Sequence, residues 1–394
     1  MNPIVTVIIS ILVFGFLIFV HEFGHYIFAR IFKVTIYEFS IGMGPRLVTF
    51  KSKKTGIRYS IAAIPFGGYV AMAGEDGVYR DKAESASGDA IDAQTEDPAP
   101  DFGSPDVPKS PCINSADAEP VPECDPNGFD KKPAWQRLII TVAGALVNLL
   151  VGFIVLIIFT CISDINGTQV EQNYKIKEEE QYEYINSDEL ILEGDIITAI
   201  DGRGVSMSDE LVYEIMRRGH EPVDVTLIRD GKEITIPDVS FPRTVVSGQS
   251  VGALSFRVAQ TEKSFGSVIS YSVQKGVLMV RMCWEALYDL LTGRFGFEAV
   301  SGPVGVSTAI GEAASTGIDS LLYIIALITI NLGVMNLLPI PALDGGRTLT
   351  ILIEIVTRKK MPPKVEQMIN GIGLALLLGL SAIILIKDVF QLII

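Results

Sequence analysis

HEFGH, residues 21–25, places two imidazoles and a carboxylate within five positions, in a chain of 394 residues that has only three histidines. On a helix, side chains four apart share a face, so His21 and His25 point together with Glu22 beside them. This is the H-E-x-x-H arrangement, in which two neutral imidazoles hold zinc and the glutamate is the general base toward a water. The competing reading is a group of polar residues at a helix end near a membrane interface, where snorkelling costs little. Depth favours the metal: the motif closes an apolar run that begins at Ile4, and ionisable groups inside a span are functional by default.

A catalytic zinc takes three protein ligands and keeps an open position. The remaining histidine, His220, belongs to a polar stretch far along the chain and reads as a surface residue at a helix end, so a carboxylate must complete the set. The best candidate is Asp344, in NLLPIPALDGGR (336–347), where Pro339 and Pro341 break an apolar helix just ahead of Gly345 and Gly346. Prolines free backbone groups, which at membrane depth is tolerated only where protein or a water-filled cavity satisfies them. An Asp-Gly-Gly turn that merely ends a span is the alternative.

These residues need helices to carry them. With 48% hydrophobic and 20% charged residues and a mean hydropathy of +0.38, the chain is too apolar for an ordinary soluble enzyme. Four stretches are long enough to cross a bilayer: Ile4 to about Phe32, Leu138 to about Ile162, Leu321 to Leu338, and Gly371 to Ile394. The first lacks the basic start and small-residue cleavage pattern of a signal peptide and reads as a retained helix. Basic residues follow the first span (Arg30, Lys33, Arg46, Lys51, Lys53, Lys54, Arg58), precede the second (Lys131, Lys132, Arg137) and precede the last (Arg358, Lys359, Lys360, Lys364), which puts those segments on the cytoplasmic side. The third span then runs inward and brings Asp344 to the depth of His21 and His25. Phe265 to Leu291 is amphipathic, with Arg281, Glu285 and Asp289 on one ridge beside Lys275, and reads as an interfacial helix rather than a fifth span.

Residues 33–74 read as a small sheet. IYEFSIGMGPRLVTF (36–50) and IRYSIAAIPFGGYVAM (57–72) are strand-like, with a break at Pro-Phe-Gly67-Gly68. A plain soluble hairpin is the alternative; an exposed edge that takes an extended peptide by strand addition is the functional reading. Residues 75–132 change character. From Glu75 to Asp130 there are fifteen acidic and three basic residues, so nearly all of the chain's net charge of −14 lies here, in a stretch that cannot bury a core and reads as disordered. Cys112 and Cys124 within it make neither a metal site nor a structural disulfide on the reducing side, and Cys161 and Cys283 read as buried or interfacial. The second transmembrane segment, 133–165, contains AGALVN. Gly144 permits close helix approach, and Asn148, a polar amide among apolar neighbours, needs a partner, which an interhelical hydrogen bond would equally supply.

Residues 166–260 form the one ordinary globular piece. LEGDIITAIDGRGVSMSDELVYEIMRRG followed by PVDVTLIRDGKEITIPDV reads as strand, turn, helix and then a hairpin through Arg229-Asp230-Gly231. It resembles a single PDZ domain, though NYKIKEEEQYEYINSDEL before it lacks the small-residue loop that cradles a peptide carboxylate. Segments 261–297, 298–357 and 358–394 then supply the amphipathic helix, the third transmembrane helix with its broken end, and the fourth. The expected fold is a polytopic α-helical membrane protein with about four transmembrane helices, a small membrane-associated β-region and one extracytoplasmic PDZ-like α+β domain.

HEFGH together with LDG (343–345), preceded by Asn336, Pro339 and Pro341, resembles the site-2 protease family of intramembrane zinc metalloproteases, and within it the bacterial branch that contains the regulator of sigma-E protease. The likeness covers most of the chain in order. It implies that His21, His25 and Asp344 bind one Zn2+ per chain and that Glu22 activates the water. It further implies that Asn336, Pro339 and Pro341 hold substrate, that Gly67 and Gly68 belong to a β-region that clamps it, and that Gly144 and Asn148 match a Gly-x-x-x-Asn pattern facing the active site. The implied partners are single-span transmembrane substrates, such as a pre-cleaved anti-sigma factor, and membrane lipid, with no nucleic acid. The implied location is the bacterial cytoplasmic membrane, with the active site toward the cytoplasm and the PDZ-like domain outside. A metal transporter would leave Glu22 unexplained and needs more intramembrane polar residues. A non-catalytic scaffold would have lost a ligand or the base, and neither is missing.

Overall fold

The structure, a computed structural model, describes residues 3–75, 125–174, 185–246, 249–294 and 300–393; residues 76–124, with Cys112, Cys124 and most of the acidic stretch, lie outside the described residues. The chain opens with α1 (Pro3–Ile31), β1 (Ile36–Lys51), β2 (Arg58–Met72), a 3-10 turn at Phe129–Lys131 and α2 (Ala134–Ile162). The α+β segment follows as β3 (Asn166–Asn173), α3 (Ser187–Leu190), β4 (Ile196–Ile200), β5 (Arg203–Gly204), α4 (Ser208–Arg218), β6 (Val223–Arg229) and β7 (Lys232–Val239), then β8 (Arg243–Val246), β9 (Gln249–Gly252) and β10 (Phe256–Gln260). Five helices complete it: α5 (Phe265–Thr292), α6 (Pro303–Thr316), α7 (Ile318–Leu337), α8 (Asp344–Thr357) and α9 (Pro363–Ile393).

Among the described residues four helices are long and apolar enough to cross a membrane, Ile4–Ile31, Ala134–Ile162, Ile318–Leu337 and Lys364–Phe390. They fall on the four apolar runs of the sequence. The region 298–357, expected as a single broken transmembrane helix, is three helices. Pro303 starts α6 at a first-turn position where its missing N–H costs nothing. Pro339 and Pro341 end α7, and α8 begins afresh at Asp344.

The chain folds as two units. One comprises residues Phe14–Gly144 and Leu337–Leu374. Its sheet is more folded than a hairpin, because β1 and β2 both bend. Residues 38–41 face 58–61 on one side and 68–71 on the other, while 46–51 run along 58–62. The buried Glu38 pins the bend, accepting a hydrogen bond from Ser60 Oγ at 2.6 Å and two from Arg46 at 3.0 and 2.8 Å. Burial alone would raise the Glu38 carboxyl, but the Ser60 hydrogen bond and the Arg46 guanidinium outweigh it and hold it below the usual carboxylate range. Ala29, Ile36, Phe39, Val70, Phe129, Ile140 and Ile351 form the core, so α1, the sheet, the 3-10 turn, α2 and α8 close on one another. Residues 125–132, placed by sequence in the disordered segment, are folded here: Phe129 N–H donates to Ala73 O and its ring is buried.

The other unit comprises Met1–Val13, Ala145–Asn336 and Ala375–Ile394. Its six-stranded sheet has the order β10-β3-β4-β6-β7, with β5 on β4, and the β6–β7 hairpin turns at Asp230 and Gly231, both at positive φ as a tight primed turn requires. Leu211 and Ile215 of α4 fill its core against Ile197, Ile200, Val225 and Leu227. The charged ridge of α5, expected to face lipid headgroups, instead meets α4. Lys275 pairs with Asp209 at 3.0 Å, Arg281 with Glu214 at 2.7 Å, and Glu285 and Asp289 each with Arg217 at 2.9 Å. On its other side α5 packs Met279 with Leu156 of α2 and Ile330 of α7.

Candidate metal centre

Near its C-terminal end α1 presents His21 and His25 on one face. Their Nε2 atoms are 3.3 Å apart. Asp344, the first residue of α8, brings its Oδ2 to 3.1 Å from His21 Nε2 and 3.2 Å from His25 Nε2. Two donors each about 2.0–2.1 Å from a tetrahedral zinc stand about 3.3–3.4 Å apart, so this triangle has the size of one face of such a site. Asp344 Oδ2 is buried, and no hydrogen bond of ordinary geometry satisfies it among the described residues, as fits an oxygen aimed at a cation.

The surroundings prepare the donors. His25 Nδ1 lies 2.8 Å from the carbonyl oxygen of Ile140 on α2. If Nδ1–H donates there, the tautomer leaves the Nε2 lone pair free toward the cluster, the usual role of a partner behind a metal-binding histidine. Gly144, one turn further along α2, lies against the imidazoles: a Cβ built there would meet His25 Nε2 at 2.3 Å and His21 Cε1 at 2.8 Å. Only glycine lets α2 pass this close. Gly24 makes the reciprocal approach from α1, where a Cβ would meet Ala143 O at 2.6 Å.

His21, Glu22, His25 and Asp344 line a cavity of about 390 Å³, together with Gly68, Tyr69, Val70, Ala71 and Met72 of β2 and with Glu75, Ile140, Thr141 and Arg347. The strand segment 68–72 therefore flanks the donor cluster, and Gly68 lies against Glu22, since a Cβ there would meet Glu22 Cγ at 2.9 Å. A carboxylate beside two imidazoles and one aspartate oxygen, in a cavity with a strand on one wall, can activate a water over an extended peptide.

Of the residues singled out by sequence, the structure brings together His21, Glu22, His25, Asp344, Gly68 and Gly144. Gly67 turns the chain at φ +84 with Met43 against it and does not line the cavity. Pro339 is exposed, and Pro341 packs on Gly373 of α9. Asn148, fully buried on α2, and Asn336, at the end of α7, belong to the other unit. Sequence reasoning missed the Ile140 carbonyl, Glu75 and Arg347. A backbone acceptor carries no sequence signal, and Glu75 was hidden at the head of the acidic run. Arg347 did carry one, being three residues beyond Asp344 and so on the same helical face.

Residues 9–380 match the model of peptidase family M50. The chain is 29% identical to the regulator of sigma-W protease RasP of Bacillus subtilis, over 98% of this chain and 99% of that one. It is 30% identical to a putative zinc metalloprotease of Clostridium acetobutylicum, over 97% of each chain, and 30% identical to the zinc metalloprotease RasP of Geobacillus kaustophilus, over 98% of this chain and 97% of that one. An H-E-x-x-H helix, a converging aspartate and a family match spanning nearly the whole chain agree: this is a membrane zinc metalloprotease, and it belongs to peptidase family M50, the site-2 proteases.

Proposed function

We propose that the enzyme hydrolyses peptide bonds within membrane-spanning segments of single-span proteins, with His21, His25 and Asp344 as the zinc ligands and Glu22 as the general base. The observation that carries this reading is the triangle of donor atoms with edges of 3.1, 3.2 and 3.3 Å, with Glu22 lining the same cavity. Held by His21, His25 and Asp344, zinc would supply Lewis acidity toward a carbonyl and a water. The remaining work belongs to the chain. Glu22 takes the proton from the attacking water and delivers it to the leaving amide nitrogen, so that one carboxylate is base and then acid. Ile140 O holds His25 in its orientation through the hydrogen bond from Nδ1.

The substrate poses a second problem, because its carbonyls are locked in a helix and must be freed near the cut. Segment 68–72 of β2, paired with residues 36–41 on one edge and facing the cavity with the other, is suited to receive the unwound stretch as an added strand, with backbone hydrogen bonds replacing those of the substrate helix. The outer residues of the sheet, Met43, Leu47, Val48 and Phe50, are exposed and apolar, as a membrane-associated sheet requires. By loop charge this sheet and the cavity face the cytoplasm, and the α+β domain, which we read as PDZ-like, lies outside, where it excludes substrates with bulky outer domains. One relative's name ties it to sigma-W regulation. For this chain a pre-trimmed single-span regulator such as an anti-sigma factor is the matching substrate class.

The test is cleavage of a model single-span substrate by purified protein in detergent, comparing wild type with Glu22→Gln while bound zinc is measured. Zinc retained with cleavage abolished supports the reading. Cleavage at the wild-type rate by Glu22→Gln, or cuts confined to residues outside the substrate's span, would defeat it.

A further inference from the structure

The third ligand, unlike the two histidines, comes from a separate short helix, so its position depends on what holds α8. No side chain caps the start of α8, and its entry is tight: a Cβ on Gly345 would meet Leu338 O at 2.0 Å. Along α8, Asp344, Arg347, Ile351 and Glu354 recur at steps of three and four and form one face. Every member is engaged. Arg347 Nη1 bonds Glu75 Oε1, in the turn three residues beyond β2, and its guanidinium lies 5.6 Å from the Phe129 ring. Ile351 is buried with Ala29 and Ile140. Glu354 accepts from Arg137 of α2 at 2.6 Å.

Within this stripe the Glu75–Arg347 pair is distinctive, because both side chains are more than four-fifths buried and both line the cavity with the donor cluster. It joins the strand that faces the cavity to the helix that carries Asp344, one turn from the ligand. A buried ion pair is weak evidence of stabilisation, since the desolvation of two charges offsets most of their attraction. Its effect is geometric: one charged contact, Arg347 Nη1 to Glu75 Oε1, sets the distance between the two segments, which a lysine ammonium can also supply.

We propose that Glu75 and Arg347 are positioning residues for the metal centre, setting Asp344 against the two histidines and holding strand segment 68–72 in register with it. This rests on the reading of His21, His25 and Asp344 as zinc ligands. Neither side chain belongs to the donor cluster of His21, His25 and Asp344. Partners behind a ligand typically change metal affinity or activity by about 10–100-fold when lost, and that is the scale expected here.

The experiment uses the full chain in detergent and measures zinc affinity by chelator competition, the visible spectrum after cobalt substitution, and thermal unfolding of the apo protein. The variants are Glu75→Gln, Arg347→Ala, Arg347→Lys and the double Glu75→Gln/Arg347→Ala, with His25→Ala as the ligand control. The expected result is zinc binding about 10–100-fold weaker in Glu75→Gln and Arg347→Ala with an altered cobalt spectrum, a double variant no worse than the poorer single, and recovery of most of the affinity by Arg347→Lys. Wild-type affinity and spectrum in both singles, or additive losses in the double, would overturn the proposal, as would weaker binding that follows a loss of apo stability and is not rescued by Arg347→Lys. Should His25→Ala bind zinc as wild type does, the ligand assignment itself fails, a result separate from any behaviour of the pair.

Discussion

Replacing Gly144 by alanine sets two effects of opposite sign against each other. In a helix interior alanine is favoured over glycine by about 1 kcal/mol. Against this, the new Cβ would sit 2.3 Å from His25 Nε2 and 2.8 Å from His21 Cε1. Non-bonded carbon contacts settle near 3.5–4.0 Å, so relief asks for a displacement of about 1 Å, whereas metal–ligand distances hold within about 0.2 Å. His25 cannot retreat cheaply, because it is buried and Nδ1 stands 2.8 Å from Ile140 O. Structural zinc sites bind with about 10–16 kcal/mol in total; losing one donor of three or four therefore costs roughly 3 kcal/mol, about a hundred-fold in affinity. The steric term wins. Chelator competition on purified Gly144→Ala should show zinc bound about a hundred-fold more weakly, while Gly15→Ala on α1, where a Cβ meets nothing within 4 Å, should bind as wild type. An unchanged zinc affinity in Gly144→Ala would refute the close-approach argument.

Gly68→Ala should act on chemistry rather than on metal, since its Cβ would press on Glu22 Cγ at 2.9 Å; zinc content stays at the wild-type level while kcat falls about ten-fold or more in the cleavage assay. Glu354→Gln leaves Arg137, whose side chain is 10% exposed, without its ion-pair partner, and thermal unfolding should show a loss of about 3 kcal/mol or more, which Arg137→Met/Glu354→Met should largely restore. Glu38 is held below its ordinary value near 4.5 by Ser60 and Arg46 against the effect of burial. A depressed carboxylate contributes stability that is present above the unfolded pKa and lost as pH falls through the folded one. The acid limb of the unfolding curve below about pH 4.5 should therefore be shallower in Glu38→Gln than in wild type, and parallel limbs would count against this role.

The parts of this protein that were legible in its sequence are those set by local chemistry. His21 and His25 needed only helical spacing, the four spans only an apolar run of sufficient length, and the β6–β7 turn only Asp230-Gly231. What stayed hidden is non-local. Nothing in residues 36–51 and 57–72 announces that 38–41 pairs on both sides, because that depends on two bends and on Glu38 reaching Ser60 and Arg46. The charged ridge of α5 has the pattern of an interfacial helix, and composition cannot say whether its partner is a headgroup or another helix; here α4 supplies the complementary charges. Glu75 was submerged in an acidic run whose net charge described its neighbours and not itself. Asp344 was readable as a candidate from its broken-helix setting, but the face of α8 that carries it, spaced by threes and fours, becomes visible only once α8 is known to begin at residue 344.

Whether His21, His25 and Asp344 form one metal centre is open to X-ray absorption at the zinc edge on the Glu22→Gln protein, which lacks the proposed base. The expected spectrum has nearest neighbours of nitrogen and oxygen only, at about 2.0–2.2 Å, with the outer scattering of two imidazoles, reduced to one imidazole when His25→Ala is added and changed in its oxygen contribution by Asp344→Ala. A sulfur neighbour at about 2.3 Å, or a spectrum indifferent to both substitutions, would place the zinc elsewhere.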